Sequence, residues 1–265
     1  MLILEPGEPG ALIPRSDRRC EHVRKILKKK PGDRLLAGIA TDSPFGPAPG
    51  ALGEAVVESL DERGLVLSFE PFPGPRSEPE GLAPLRLILG FPRPIQANRI
   101  FKDLASLGVA EIVLTGTELG EKSYLESDFF RAGEFRRPLL EGAEQAANPR
   151  LPSVSTHWSL RRCLDSLEEG AAGGGQAEQA AFAGQGLGAR LALHPREGAP
   201  NLGALAELPP PLTLAIGSER GWTEGEVDLL EERGFRMAGL GRRILKTETA
   251  AVAAVALLLA RLGRM

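Results

Sequence analysis

The sequence predicts an α/β protein of two domains, a small sheet-rich domain followed by a larger one with helices on both faces of a parallel sheet. Three observations carry this reading. The 265 residues, 42% hydrophobic and 25% charged, supply a core for one large domain or two modest ones. The stretch Pro71–Pro84, PFPGPRSEPEGLAP, has the density of Pro, Gly and charge of a linker, which places a boundary near residue 75 and gives domains 1–75 and 76–265. Beyond it, strand-like and helix-like patterns alternate over about 180 residues.

The small domain opens with a basic segment. In CEHVRKILKKKPGD, apolar Val23, Ile26 and Leu27 recur at three- and four-residue spacing, which predicts a short helix with an apolar stripe, stopped by Pro31-Gly32. Eight Lys or Arg residues lie between Arg15 and Lys30 against Asp17 and Glu21. They describe either a solvated helix face or a patch that contacts phosphate. DRLLAGIA, GEAVVESL and GLVLSFE then read as three short strands of an antiparallel sheet or barrel.

In the larger domain LRLILGF, at Leu85–Phe91, is a near-continuous apolar run of the kind buried in a parallel sheet. A helix follows over Gln96–Leu107, then the strand AEIVLTG and a helical region near Phe129–Ala147 carrying Glu144 and Gln145. LPSVST reads as a strand, HWSLRRCLDSLEEG as a helix, and residues 171–186 as a flexible excursion or weak helix. ARLALHP and PLTLAIGSERG are two further strands. Thr223 followed by Glu226 is a capping-box signature. A turn, GLGRRIL, and an apolar helix, TETAAVAAVALLLARLG, capped by Thr247 or Thr249, close the chain.

Composition excludes several classes. The net charge of -3 argues against a basic coat over the whole surface, although a local basic face is compatible with it. Aromatics at 5% are too few for a binding mode built on many stacking platforms. Two cysteines, Cys20 and Cys163, make no disulfide scaffold and suggest thiols in a reducing compartment. The amino terminus lacks a signal-peptide pattern, and the longest apolar stretch, Ala250–Ala260, is shorter than the roughly 20 residues of a membrane span. A cytoplasmic protein is expected, with no membrane partner. His22, His157 and His194 have no partners at ligand spacing, so no metal site is expected.

Ligands of open α/β sheets bind beyond the carboxyl ends of the strands, and three such ends carry unusual residues. Leu193-His194-Pro195-Arg196 is an ordinary loop or a ligand loop. Ile216–Trp222, IGSERGW, pairs glycines that permit a sharp turn with a capped helix start that favours an anion, and so is either a structural turn or a ligand loop. Leu240–Ala250 presents Arg242, Arg243 and Lys246 before a helix, with Ile244-Leu245 placed to wall an apolar slot. Ser218 lacks a nucleophile elbow, and no hydrolytic set can be assembled.

Together the three loops are more specific than any one alone. LHPR, IGSERGWTEGE and LGRRILKTETAAVAA resemble, in that order, segments of the bacterial 16S ribosomal RNA (uracil-N3)-methyltransferase family of the SPOUT superfamily. HVRKILKKKPGD, LGVAEIV and EQAANPRLP extend the resemblance over nearly the whole chain. It implies a PUA-like barrel joined to an α/β domain with a trefoil knot, a feature that periodicity would not suggest. It further implies S-adenosylmethionine held by Leu193 and His194, by Ile216, Gly217, Glu219 and Gly221, and by Leu240, Gly241, Ile244 and Leu245. A homodimer is implied, with 16S rRNA in the 30S subunit as substrate.

Uracil N3 carries a proton, so methylation there needs its removal or a stabilised anionic base. Arg243 and Lys246 are the candidates for that stabilisation, with Glu248 positioning one of them. Arg15, Arg18, Arg19, Arg24, Lys25 and Lys28 are candidates for RNA-backbone contact. Departures from the family pattern are Ser218 and Arg220 in place of Pro and Gly, Asp103 and Ser106 in place of Lys and Glu, and Asn148 in place of Arg. They keep two alternatives in view, a methyltransferase with another RNA target and a catalytically silent RNA-binding ribosome-assembly protein.

Overall fold

Short strands and glycine-ended helices follow the local signals of the sequence, with exceptions that the packing explains. The computed structural model describes residues 1–171, 182, 187–196, 198–205 and 208–265, so the expected excursion at 171–186 lies almost wholly outside the described residues. The chain divides into two units, Met1–Gly81 with Ala143–Leu151, and Leu82–Gly142 with Pro152–Met265.

Ala143–Leu151, which the sequence pattern attaches to the larger domain, groups with the first unit for a polar reason. Buried Arg150 donates to the carbonyls of Ser43 (2.6 Å), Gly46 (2.8 Å) and Pro79 (3.2 Å). The Glu144 carboxylate accepts from Ile3 N–H at 3.4 Å and from Arg18 at 2.5 Å.

The first unit holds a five-stranded sheet of β1 (Leu2–Leu4), β2 (Leu12–Pro14), β3 (Arg34–Ile39), β4 (Leu52–Leu60) and β5 (Gly64–Pro71). Their order is β1-β3-β4-β5-β2, with β1 parallel to β3 and the other pairs antiparallel. β1 and β2 escape a reading by alternation because each has only three residues. Leu4, Ile13, Val23, Ala37, Val57 and Leu67 belong to one buried cluster. Helix α1 (Arg18–Glu21) starts at Asp17, whose side chain accepts from Arg19 N–H, and continues into one wide π-type turn at His22–Ile26. The wide turn departs from the 3.6-residue period. Val23 is therefore buried while Ile26 is 68% exposed, which corrects the expected apolar stripe.

The second unit is built on β6 (Ala83–Gly90), β7 (Val109–Thr115), β8 (Ser153–His157), β9 (Ala189–Leu193), β10 (Leu212–Ile216) and β11 (Arg236–Ala238). Every pair is parallel, in the order β11-β9-β10-β6-β7-β8. β11 is not predicted by the sequence, because three residues beginning with exposed Arg236 carry no strand signal.

Helix α2 (Pro94–Leu107) starts on a proline, which loses no helical hydrogen bond there, and ends at Gly108 in the left-handed region. It buries Ile100, Phe101 and Leu104 and packs against β7 and α7 (Thr247–Arg261). On the other sheet face, α5 (Leu160–Ala171) and α6 (Glu224–Glu232) place Leu160, Cys163, Leu164, Val227 and Leu230 in one cluster with Ile88, Val113 and Ala215. The helix expected over 129–147 is two, α3 (Asp128–Arg131) and α4 (Arg136–Ala146), with Gly133 at φ 73 between them. Helix α7 has Lys246 as its N-cap without a side-chain cap bond, and Thr247 is the buried first helical residue, which corrects the expected threonine cap. Among the described residues no helix is long and apolar enough to cross a membrane.

Candidate functional site

Because the strands of the second unit are parallel, their carboxyl ends share one edge. Leu193 of β9 pairs with Ile216 of β10 and with Ala238 of β11, Ile216 pairs with Leu89 of β6, and Gly90 pairs with Thr115 of β7. The three loops singled out in the sequence therefore leave three adjacent strands at one level.

Backbone bonds stitch the first and third loops together. His194 N–H donates to Ala238 C=O at 3.1 Å, Leu202 N–H to Gly239 C=O at 2.8 Å, and Gly239 N–H to Pro200 C=O at 2.9 Å. The middle loop closes on itself, with Gly221 N–H donating to Ser218 C=O at 2.9 Å and Gly221 at φ 77. A Cβ on Gly90, at the end of β6, would lie 2.4 Å from Ser218 N, so glycine there lets the middle loop approach the strand.

The capping box of α6 is formed: Glu226 N–H donates to Thr223 Oγ1 at 3.2 Å, and Thr223 N–H to the Glu226 carboxylate at 3.0 Å. Glu226 is buried and also accepts from Glu118 N–H at 2.9 Å, which ties the loop after β7 to the helix start. Glu219 accepts from Arg93 N–H at 3.0 Å, linking the middle loop to the start of α2.

Around this edge His194 Nδ1, Ser218 Oγ, Trp222 Nε1, Thr117 Oγ1 and Gln96 Oε1 are buried without a hydrogen-bond partner among the described residues. Trp222 closes the middle loop singled out in the sequence, whereas Gln96 and Thr117 belong to no candidate loop there. Their only signal there is position, just beyond the ends of strands.

The basic loop is open. Gly241, Arg242, Arg243 and Lys246 are exposed or nearly so, while Leu240, Leu245 and Glu248 lie closer to the fold. Ile244 is 92% exposed, so within one chain it walls no apolar slot, a correction to the expectation from sequence. Among the described residues no ion pair joins Glu248 to Arg243 or Lys246. In the first unit, Arg15, Lys25 and Lys28 are exposed and Arg24 donates to Asp61 C=O at 2.8 Å. Arg18 reaches Glu144, and Lys25 reaches Glu21 at 2.7 Å. Arg19 is engaged internally by Glu8 at 2.6 Å and Asp17 at 2.8 Å.

A cavity of about 670 Å³ lies at the opposite edge, by Ala189, Arg190 and Arg236 at the amino ends of β9 and β11. Arg190 and Arg233 at its wall are paired with Glu168, and Arg233 also with Asp165. No group of three or more His, Cys, Asp or Glu able to hold a metal occurs among the described residues.

Residues 79–259 match the family model described as an RNA methyltransferase domain. A ribosomal RNA small subunit methyltransferase E from Treponema pallidum is 37% identical over 250 residues, covering 94% of this chain and 85% of that protein. The chain belongs to the ribosomal RNA small subunit methyltransferase E family. A second member, methyltransferase E 1 of Borreliella burgdorferi, is 29% identical and covers 90% of this chain and 88% of its own length. The fold is that of the Neisseria gonorrhoeae methyltransferase E solved with bound S-adenosyl methionine, at TM-score 0.68 and 19% identity over 98% of each chain.

Within this methyltransferase E family two of the chain's departures, Arg220 and Asn148, have local explanations. Arg220 is exposed, and the positive-φ residues other than glycine are Lys28 and Ala147 among the described residues, so an arginine fits position 220 without backbone strain. Asn148 donates to Glu80 C=O at 3.0 Å and accepts from Arg150 N–H at 3.1 Å. Asp103 is exposed and Ser106 half-buried on α2, and nothing in the structure explains either substitution.

Proposed function

We propose that this protein transfers a methyl group from S-adenosylmethionine to N3 of a uridine in 16S rRNA of the 30S subunit. The observation that carries the reading is the meeting of three loops at the carboxyl ends of β9, β10 and β11 with buried, unpaired polar atoms on two of them. His194 Nδ1 and Ser218 Oγ have no partner within the described residues. A buried polar atom without a partner costs about 1–3 kcal/mol, so a ligand with its own donors and acceptors fits this edge. The proposed cofactor residues are Leu193, His194, Ile216, Gly217, Gly221, Leu240, Gly241 and Leu245, with Glu219 holding the middle loop in place through Arg93 N–H.

When bound, the cofactor supplies an electrophilic methyl group. The chain must present uracil N3 to it and offset the negative charge that develops as the N3 proton leaves. Arg243 and Lys246, exposed on the third loop, are the cations proposed for that task, and Glu248, in the first turn of α7, is proposed to position one of them. A base within folded RNA has to unstack to reach such an edge. The second basic segment, with Arg15, Arg18, Arg24, Lys25 and Lys28, is proposed to contact RNA phosphates. Arg19, expected among them, has a structural role instead through its bonds to Glu8 and Asp17.

The finer fold features, a PUA-like first unit and a trefoil knot in the second, belong to this proposal, as does a cytoplasmic location. So does the homodimer. Helix α7 is apolar on its outer side as well as its inner side, with Ala253 half-buried and Leu257 38% exposed, and such a helix finds cover against a second copy.

Calorimetry with S-adenosylmethionine tests the cofactor site directly. Saturable binding at one site per chain is expected, and no binding removes the proposal.

A further inference from the structure

We propose that Arg93 is a prearranged anchor for a phosphate of the RNA substrate, with Tyr124 as its positioning residue. The proposal rests on the reading that the loop edge transfers methyl groups to RNA.

Arg93 lies three residues beyond the end of β6, on the strand that pairs with β10, and so at the edge where the middle loop emerges. Its backbone N–H is fixed by the Glu219 carboxylate at 3.0 Å. Its Nε donates to the hydroxyl of Tyr124, the one tyrosine of the sequence, at 3.0 Å. The backbone at its base and the guanidinium at its tip are each held by one bond. The two terminal nitrogens of the guanidinium have no acceptor among the described residues, and the residue is exposed.

That arrangement differs from other arginines of the second unit. Arg190 and Arg233 are consumed by carboxylates, and Arg196 by Glu231 at 3.1 Å. In Arg93 the carboxylate of Glu219 is spent on the backbone N–H, and no carboxylate pairs with the guanidinium among the described residues. A guanidinium held through Nε presents its two remaining NH₂ groups as a planar fork, which matches two oxygens of a phosphate. Prior fixing lowers the entropy lost on binding. The charge next to the methyl-transfer edge suits the nucleotide backbone beside the target base, where it sets register without reading sequence.

The test compares wild type with Arg93→Ala, Arg93→Lys and Tyr124→Phe, using 30S subunits that lack the modification. The readouts are KM and kcat separately, the salt dependence of RNA binding, and calorimetric affinity for S-adenosylmethionine. Loss of one phosphate contact lowers the slope of log K against log salt by about 0.7–0.9. The expected results for Arg93→Ala are that slope change, a KM raised about tenfold and cofactor affinity within about twofold of wild type. Arg93→Lys restores the slope but only part of the affinity, and Tyr124→Phe raises KM less than Arg93→Ala with the slope kept. An unchanged slope in Arg93→Ala overturns the proposal. A loss of cofactor affinity of about tenfold also overturns it, by assigning Arg93 to the cofactor. If wild type itself transfers no methyl group to 30S subunits, the underlying functional reading fails instead, and the salt slope still reports on Arg93.

Discussion

Arg19 and Arg243 show how two arginines of one sequence come to do different work. Arg19 forks onto Glu8 and Asp17, and its side chain is 13% exposed. Burial alone raises the pKa of these two carboxyls, but the bonds from Arg19 outweigh it and hold both below their ordinary values. A carboxyl whose folded pKa is depressed stabilises the fold above its unfolded pKa, and that contribution is lost as pH falls through the folded value. Arg19→Ala should therefore cost about 1–3 kcal/mol near neutral pH, between exposed and fully buried pairs, and the loss should shrink in acid. Urea unfolding from neutral pH down to about pH 3 checks this. Arg243 is exposed and forms no such fork among the described residues. Arg243→Ala and Lys246→Ala should leave stability within about 0.5 kcal/mol and lower kcat about tenfold or more, about 1.4 kcal/mol of barrier. Wild-type turnover in both variants removes their assigned role. The Cys163 thiol illustrates a third outcome, since burial pushes it up to about 12 and leaves it inert at neutral pH.

At the scale of elements, the capping box of α6 joins folding to the site. Thr223→Ala should cost about 1 kcal/mol as an ordinary cap. Glu226→Ala should cost more, about 2–3 kcal/mol, because it also strands the Glu118 N–H that its carboxylate accepts. Thermal unfolding of the two variants ranks them, and equal losses would deny the second bond any weight. The box is legible in the sequence because its two residues are local, and so are α2, α6 and the long apolar strands. β1, β2 and β11 are not, since three residues cannot display a period. The π-type turn after α1 escapes notice because Val23, Ile26 and Leu27 fit a regular helix equally well. Of the site, the three loops can be found from their residues, but the orphaned Gln96 and Thr117 depend on which strand ends become neighbours.

At the scale of the molecule, the net charge of -3 conceals two basic segments, Arg15–Lys30 and Arg242–Lys246, one in each unit. The apolar outer side of α7 concerns assembly. Leu257→Glu should shift the protein from dimer toward monomer in sedimentation velocity, and a monomeric wild type would contradict the proposed homodimer. Methyl transfer to N3 of a uridine in 16S rRNA is tested most directly by supplying labelled S-adenosylmethionine and 30S subunits that lack the modification, then mapping the labelled nucleoside. The label should appear as N3-methyluridine in 16S rRNA. Label in another nucleoside, or none despite firm RNA binding, would contradict it.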